Sequence, residues 1–224
     1  ARRLIAEHKV DVVHQPIPVS PREPSLLYGL GVPVVIGPMN GNMTYPPAFS
    51  GGKGDRLVAL SRRFSAILHR IMPGKPRADA LIVANERTRR GLPTGTRGEV
   101  VELVENGVDL ALWSPTEVVG PREGSTRFIF LGRLVDWKRV DVLIDALATT
   151  SVTPAPELEI VGDGPMRASL EDQARRLGLQ DRVHFLGWLT QAECAERLRS
   201  SDGLLLSSVY ECGGAVVLEA MASG

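Results

Sequence analysis

The sequence predicts an α/β protein made of doubly wound parallel sheets, and three observations carry that expectation. Short apolar runs bounded by Gly, Pro, Asn or Asp alternate with helix-period segments along the 224 residues, as they do where helices bury both faces of parallel strands. At 43% hydrophobic and 23% charged, the composition is that of a globular chain. It excludes intrinsic disorder, a collagen-like repeat and a disulfide scaffold. The alternation also restarts halfway: Asn106-Gly107 marks a turn, Ser114-Pro115 to Gly120-Pro121 reads as a connection, and a new strand begins at Phe128. Two Rossmann-like domains are expected, residues 1–107 and 108–224.

The elements follow in order. Ala1 stands inside an amphipathic helix whose apolar residues are Leu4, Ile5 and Val10. Apolar runs at 10–14, 33–37, 80–83 and 100–104 supply the strands of the first half, and runs at 128–131, 158–161, 183–186 and 204–206 those of the second. Helical periods cover 56–72, 86–91, 138–149, 165–177 and 191–200, with Pro165 suited to a first helical turn and Thr190 to an N-cap. A helix has barely finished at Ala222-Ser223-Gly224 when the next strand is due. The sequence therefore reads as a piece of a longer chain, since two complete domains need about 300 residues or more.

Charge narrows the function classes. The 26 basic and 26 acidic residues balance, which argues against a basic nucleic-acid binder. Cys194 and Cys212 match no zinc or redox spacing and read as small buried side chains, in keeping with a reducing, cytoplasmic compartment. No run approaches the ~20 apolar residues of a membrane span. Residues 53–77 carry seven basic side chains against Asp55 alone, a local +6. There Leu57, Leu60, Phe64, Ile67, Leu68 and Ile71 recur at helical spacing, and Arg56, Arg63 and Arg70 every seven residues. The favoured reading is a helix packed on its own sheet with solvated arginines. The other is a basic amphipathic helix on the inner face of an anionic membrane.

Ligands of doubly wound sheets bind beyond the carboxyl ends of the strands, and four such ends are informative. In Leu131-Gly132-Arg133…Lys138, two cations at the expected start of a helix suit a diphosphate, with a solvated pair on a loop as the equal alternative. Gly162-Asp163-Gly164-Pro165 reads as a structural turn, because no Gly-x-Gly-x-x-Gly follows. Trp188 ends another strand, where an aromatic is more often core than a platform for a base. The fourth end runs Ser207-Ser208-Val209-Tyr210-Glu211-Cys212-Gly213-Gly214 into a helix holding Glu219. Its glycines permit close approach of a ligand to backbone N–H groups. Its two carboxylates, eight residues apart, suit two groups of one extended ligand.

The span from Glu211 to Glu219 resembles the Glu-x7-Glu pattern of retaining glycosyltransferases of the GT-B fold, and the text around it is similar to family 4 of that class. The resemblance extends through Phe130-Leu131-Gly132-Arg133-Leu134…Lys138, Val161-Gly162-Asp163-Gly164-Pro165, Val183-His184-Phe185-Leu186-Gly187 and Glu105-Asn106-Gly107-Val108-Asp109. It implies a GT-B chain in which Gly132, Arg133 and Lys138 hold the diphosphate of a UDP- or GDP-sugar. Glu211 would contact the donor sugar, Gly213 and Gly214 would offer N–H groups, and Glu219 would accept from the ribose hydroxyls. His14, at the expected end of the 10–14 strand, would act on donor or acceptor; a satisfied core histidine is the competing reading. No cofactor or metal is implied, and the sequence holds no Asp-x-Asp triplet. The acceptor would be a carbohydrate, a lipid-linked molecule or a small alcohol. A nucleotide-sugar epimerase of the same architecture and a non-catalytic sugar-nucleotide or polysaccharide-binding module are the alternatives.

Overall fold

The computed structural model of the chain describes residues 1–16, 20–43, 64–104, 106–115, 124–209, 211 and 213–224. The chain divides into two compact units, Ala1–Glu105 and Asn106–Gly224. Each is built on its own parallel sheet, four-stranded among the described residues.

The first unit runs α1 (Arg2–His8), β1 (Val13–Gln15), β2 (Val34–Met39), α2 (residues 64–71), β3 (Ala80–Val83), α3 (Glu86–Arg89) and β4 (Glu99–Glu102). The strands lie in the order β1-β2-β3-β4. Ile36, Met39, Leu81 and Val83, on the two central strands, are fully buried, each worth about 1.5–3 kcal/mol of apolar burial. β1 begins at Val13 rather than at Val10, because pairing starts only where Val13 N–H donates to Pro33 O (2.9 Å) and Val13 registers with Val34. α1 forms where its pattern places it but buries none of its residues. α3 starts at an Asn85 cap that accepts from Thr88 N–H (3.0 Å).

α2 departs from the packing favoured above. Its apolar stripe of Phe64, Ile67, Leu68 and Ile71 is 38–68% exposed, while His69 is buried; residues 56–63 lie outside the described residues. The cause is the turn that follows, which is fastened to the segment 20–25 beyond β1. Gly74 N–H donates to Ser25 O (2.9 Å), Ser25 bridges Pro73, and the Lys75 ammonium donates to Ser20 O. His69 Nε2–H donates to Arg22 O (3.1 Å), and the buried Nδ1 has no hydrogen-bond partner among the described residues. These bonds fix the rotation of α2 and turn its polar side inward.

The second unit runs β5 (Arg127–Leu131), a 3-10 turn (Asp136–Lys138), α4 (Val140–Thr149), β6 (Glu157–Val161), α5 (Arg167–Arg176), β7 (Val183–Gly187), α6 (Gln191–Arg199), β8 (Gly203–Leu204) and α7 (Ala215–Ser223). All pairs are parallel, in the order β7-β6-β5-β8. The alternation of β5 feeds two cores. Phe130 points to the α4 and α5 side with Ile144, Leu158 and Leu170, and Ile129 and Leu131 to the α6 side with Ala195, Leu198 and Trp113. Thr190 caps α6 in a reciprocal capping box with Glu193, as its position suggests. Pro165 stands before α5 instead of inside it, because Met166 N–H is taken by Leu134 O (3.0 Å) and the helix begins at Arg167. Lys138 lies in the 3-10 turn instead of starting α4: Arg139 takes a left-handed conformation (φ 49°) and separates the two.

Lys75 is fully buried, and burial pushes its ammonium down to about 8. The unfolded chain therefore binds more protons between pH 8 and the ordinary lysine range, so stability rises as pH increases through that window. Denaturant titrations of the wild type and Lys75→Met at pH 8 and pH 10 should show this rise in the wild type and its loss in the variant, a difference on the order of 2–3 kcal/mol.

Candidate active site

The order β7-β6-β5-β8 reverses between β5 and β8: the chain winds outward from β5 to β7 and then returns to the other side of β5. Connections leaving β5 and β8 diverge to opposite faces there, opening a crevice at the carboxyl ends. Among the described residues the first unit has no such reversal, since β1 to β4 stand in sequence order. The residues after β5 and β8 are those singled out in the sequence.

The two segments are joined at that point. The Lys138 ammonium donates to Glu211 Oε1, and both side chains are largely buried. The backbone supports the pair: Ser207 Oγ–H donates to Lys138 O (2.7 Å) and Val209 N–H to Trp137 O (2.9 Å). Lys138 thus sits on a turn bonded at several points to the loop carrying its partner. Arg133 projects from the same connection, exposed, with no side-chain partner among the described residues.

Glycines set how closely the strand exits approach. Gly132 N–H donates to Val161 O (3.0 Å), and Leu134 N–H to Asp163 O (2.9 Å). Gly162 has φ +125°, and a Cβ there would run into Gly132 O. The Gly162-Asp163-Gly164 turn is accordingly the bed on which residues 132–134 lie, as the sequence suggests. Gly214 caps α7 at φ +58°, and Gly213 O accepts from Asn106 Nδ2–H (2.8 Å). Asn106 and Ser207 are supporting residues with no role of their own in the sequence reading: Asn106 stood only in a turn and in the resembling run 105–109, and Ser207 only at the start of the fourth strand end.

Glu219 lies on α7, half-buried, and burial pushes its carboxyl up. Its carboxylate has no hydrogen-bond partner among the described residues, and it lies near enough to the Cys194 thiol of α6 to raise it further. Trp188, expected in the core, is 77% exposed beyond β7, because Gly187 at φ +71° turns the chain out of the sheet. His14 lies within β1 of the first unit instead of at its end, exposed instead of in the core, with Nε2 2.6 Å from Gly37 O. Cys194 is half-buried and its thiol is pushed up by burial; Cys212 and Glu105 lie outside the described residues. Among the described residues no three His, Cys, Asp or Glu side chains converge as metal ligands, and no helix is long and apolar enough to cross a membrane.

Residues 116–224 match the family of glycosyl transferases group 1. Over 125 residues the chain is 36% identical to glycogen synthase of Mycobacterium tuberculosis, covering 55% of this chain and 30% of that one. It is 32% identical over 160 residues to 2-deoxystreptamine glucosyltransferase of Streptomyces kanamyceticus, covering 66% of this chain and 41% of the relative. The matches thus span less than half the length of these relatives. The fold is similar to that of Anabaena HepE in complex with UDP, with a TM-score of 0.65 at 20% identity over 99% of this chain and 60% of that one. With its two parallel sheets, the chain has the GT-B fold, and its residues 116–224 match the model of glycosyl transferases group 1.

Proposed function

We propose that the protein is a retaining, metal-independent glycosyltransferase of the family 4 type that moves a sugar from a UDP- or GDP-sugar to an acceptor hydroxyl. The observation that carries this reading is the Lys138–Glu211 pair at the reversal between β5 and β8, within the residues that match glycosyl transferases group 1. Transfer breaks the bond from the sugar to the diphosphate, and negative charge grows on the leaving group. Arg133 and Lys138 stabilise that charge in place of a metal; fixed charges aimed at a developing anion lower such barriers more than any other single effect. Glu211 holds Lys138 in position and faces the donor sugar. Gly132, Gly213 and Gly214 bring backbone N–H groups to the ligand, and the open carboxylate of Glu219 accepts from the ribose.

Trp188 supplies a face for the base. β7 lies two strands from β5, about 10 Å along the sheet edge at ordinary strand spacing, so a nucleotide laid across the strand ends reaches it. His14 completes the reading on the first unit. Donation by Nε2–H to Gly37 O leaves Nδ1 as an acceptor for a substrate hydroxyl. The acceptor is a carbohydrate, a lipid-linked molecule or a small alcohol; the 2-deoxystreptamine glucosyltransferase relative is compatible with this range, and the UDP in the HepE complex with a UDP-sugar donor. Acceptor-dependent release of nucleoside diphosphate is the decisive assay, and its absence across a panel of UDP- and GDP-sugars would overturn the proposal.

Arg133→Ala and Lys138→Ala should each weaken nucleotide-sugar binding about 10- to 100-fold by calorimetry, the worth of one charge-assisted hydrogen bond. Unchanged affinity refutes the diphosphate assignment. Glu219→Ala should bind UDP and 2′-deoxy-UDP equally, where the wild type prefers UDP; acidification should weaken wild-type binding above the usual Glu range, since the raised carboxyl loses its charge early. Trp188→Ala should lose the fluorescence quenching that UDP or GDP causes in the parent, and quenching retained in the variant would place the base elsewhere.

A further inference from the structure

We propose that the groove at the amino ends of β2, β3 and β4 in the first unit binds a phosphate monoester of a polyhydroxy compound, held by Arg77 and Arg97. The groove has a volume of about 590 Å³, within the range of small-molecule sites. Its walls are the turn 28–33 before β2, Arg77 and Asp79 before β3, and Arg97 before β4. Hydrogen bonds hold these walls in place without a ligand. Val34 N–H donates to Asp79 Oδ2 (2.8 Å) and Asp79 N–H to Val34 O (2.9 Å). Arg97 N–H donates to Pro76 O (3.1 Å), and Arg2 Nε–H to Gly29 O (3.0 Å). Gly31, at φ +86°, has open space where a side chain would stand, so a ligand can approach its backbone closely.

Charge and hydrogen-bonding capacity select the ligand. The Arg77 guanidinium lies over the Tyr28 ring, 5.6 Å from its centroid. Neither it nor Arg97 forms an ion pair or a side-chain hydrogen bond among the described residues, although the Asp79 carboxylate lines the same groove. Two guanidiniums without a carboxylate partner on one concavity match the oxygens of a phosphate, which arginine binds through paired N–H groups. Asp79 engages the backbone through Oδ2, and its Oδ1 is an acceptor for a hydroxyl. A phosphate that carries hydroxyl groups therefore uses more of the groove than a bare phosphate or a neutral sugar. The amino ends are the edge opposite to the one where doubly wound sheets hold their ligands. Every residue of this site belongs to the first unit, so it stands or falls apart from the roles given to Arg133, Lys138 and Glu211.

The test is calorimetric titration of the 224-residue chain with ribose 5-phosphate, inorganic phosphate and ribose. Ribose 5-phosphate should bind more tightly than inorganic phosphate, ribose should not bind, and added salt should weaken binding. Arg77→Ala and Arg97→Ala, both at exposed positions, should each weaken it about 10- to 100-fold. Lys138→Ala should leave it unchanged. In the wild-type chain ribose 5-phosphate should protect Arg77 and Arg97 from phenylglyoxal, read by peptide mass spectrometry, a measurement that needs no variant to fold. Absent binding, equal binding of ribose, affinity no higher than that of inorganic phosphate, unaltered affinity in the arginine variants, or loss in Lys138→Ala overturns the proposal.

Discussion

The pairing of β5 with β8 is the contact on which the chemistry of the second unit depends. Two residue pairs, Phe128 with Gly203 and Ile129 with Leu204, bring β8 back beside the first strand of the unit. That return places the loop after β8 next to the turn after β5. Lys138 and Glu211, 73 positions apart in sequence, become an ion pair through it. Leu205 N–H extends the pairing by donating to Ile129 O (2.8 Å). The short strand suffices because Ser207 and Val209 then bond the 3-10 turn directly.

Charge is handled differently in the two units. In the second, Glu159 on β6 is buried but faces Arg197 (3.0 Å) and Arg127, so its charge is compensated inside the fold. Lys138 is likewise compensated, by the carboxylate of Glu211. In the first unit the buried Lys75 ammonium meets a backbone carbonyl, with Glu23 close enough to favour its charge. Burial and the Lys75 charge together push the neighbouring His69 imidazole down. A polar pin of this kind replaces the apolar packing that α2 would otherwise supply.

Legibility in the sequence followed the range of the forces involved. The strands on 80–83, 127–131 and 157–161 were legible because apolar runs between turn residues are local signals. Thr190 was legible as a cap for the same reason. The 10–14 run was misplaced because pairing with β2, not propensity, decides where β1 begins. Trp188 was misread because a glycine with positive φ carries it out of the sheet. The candidate site was legible in its residue types, Arg133, Lys138, Glu211 and Glu219, although Asn106 and Ser207 gave no such signal as supports.

What the sequence determined by itself was the class of fold, the alternation of elements and the inventory of charged groups at strand ends, because each is encoded within a few residues. Only the tertiary structure decided that β8 returns to β5, that Lys138 faces Glu211, and that the apolar stripe of α2 points outward. A period of 3.6 defines a stripe without saying which neighbour it meets, and an ion pair between distant positions exists only once parallel strands have fixed their order.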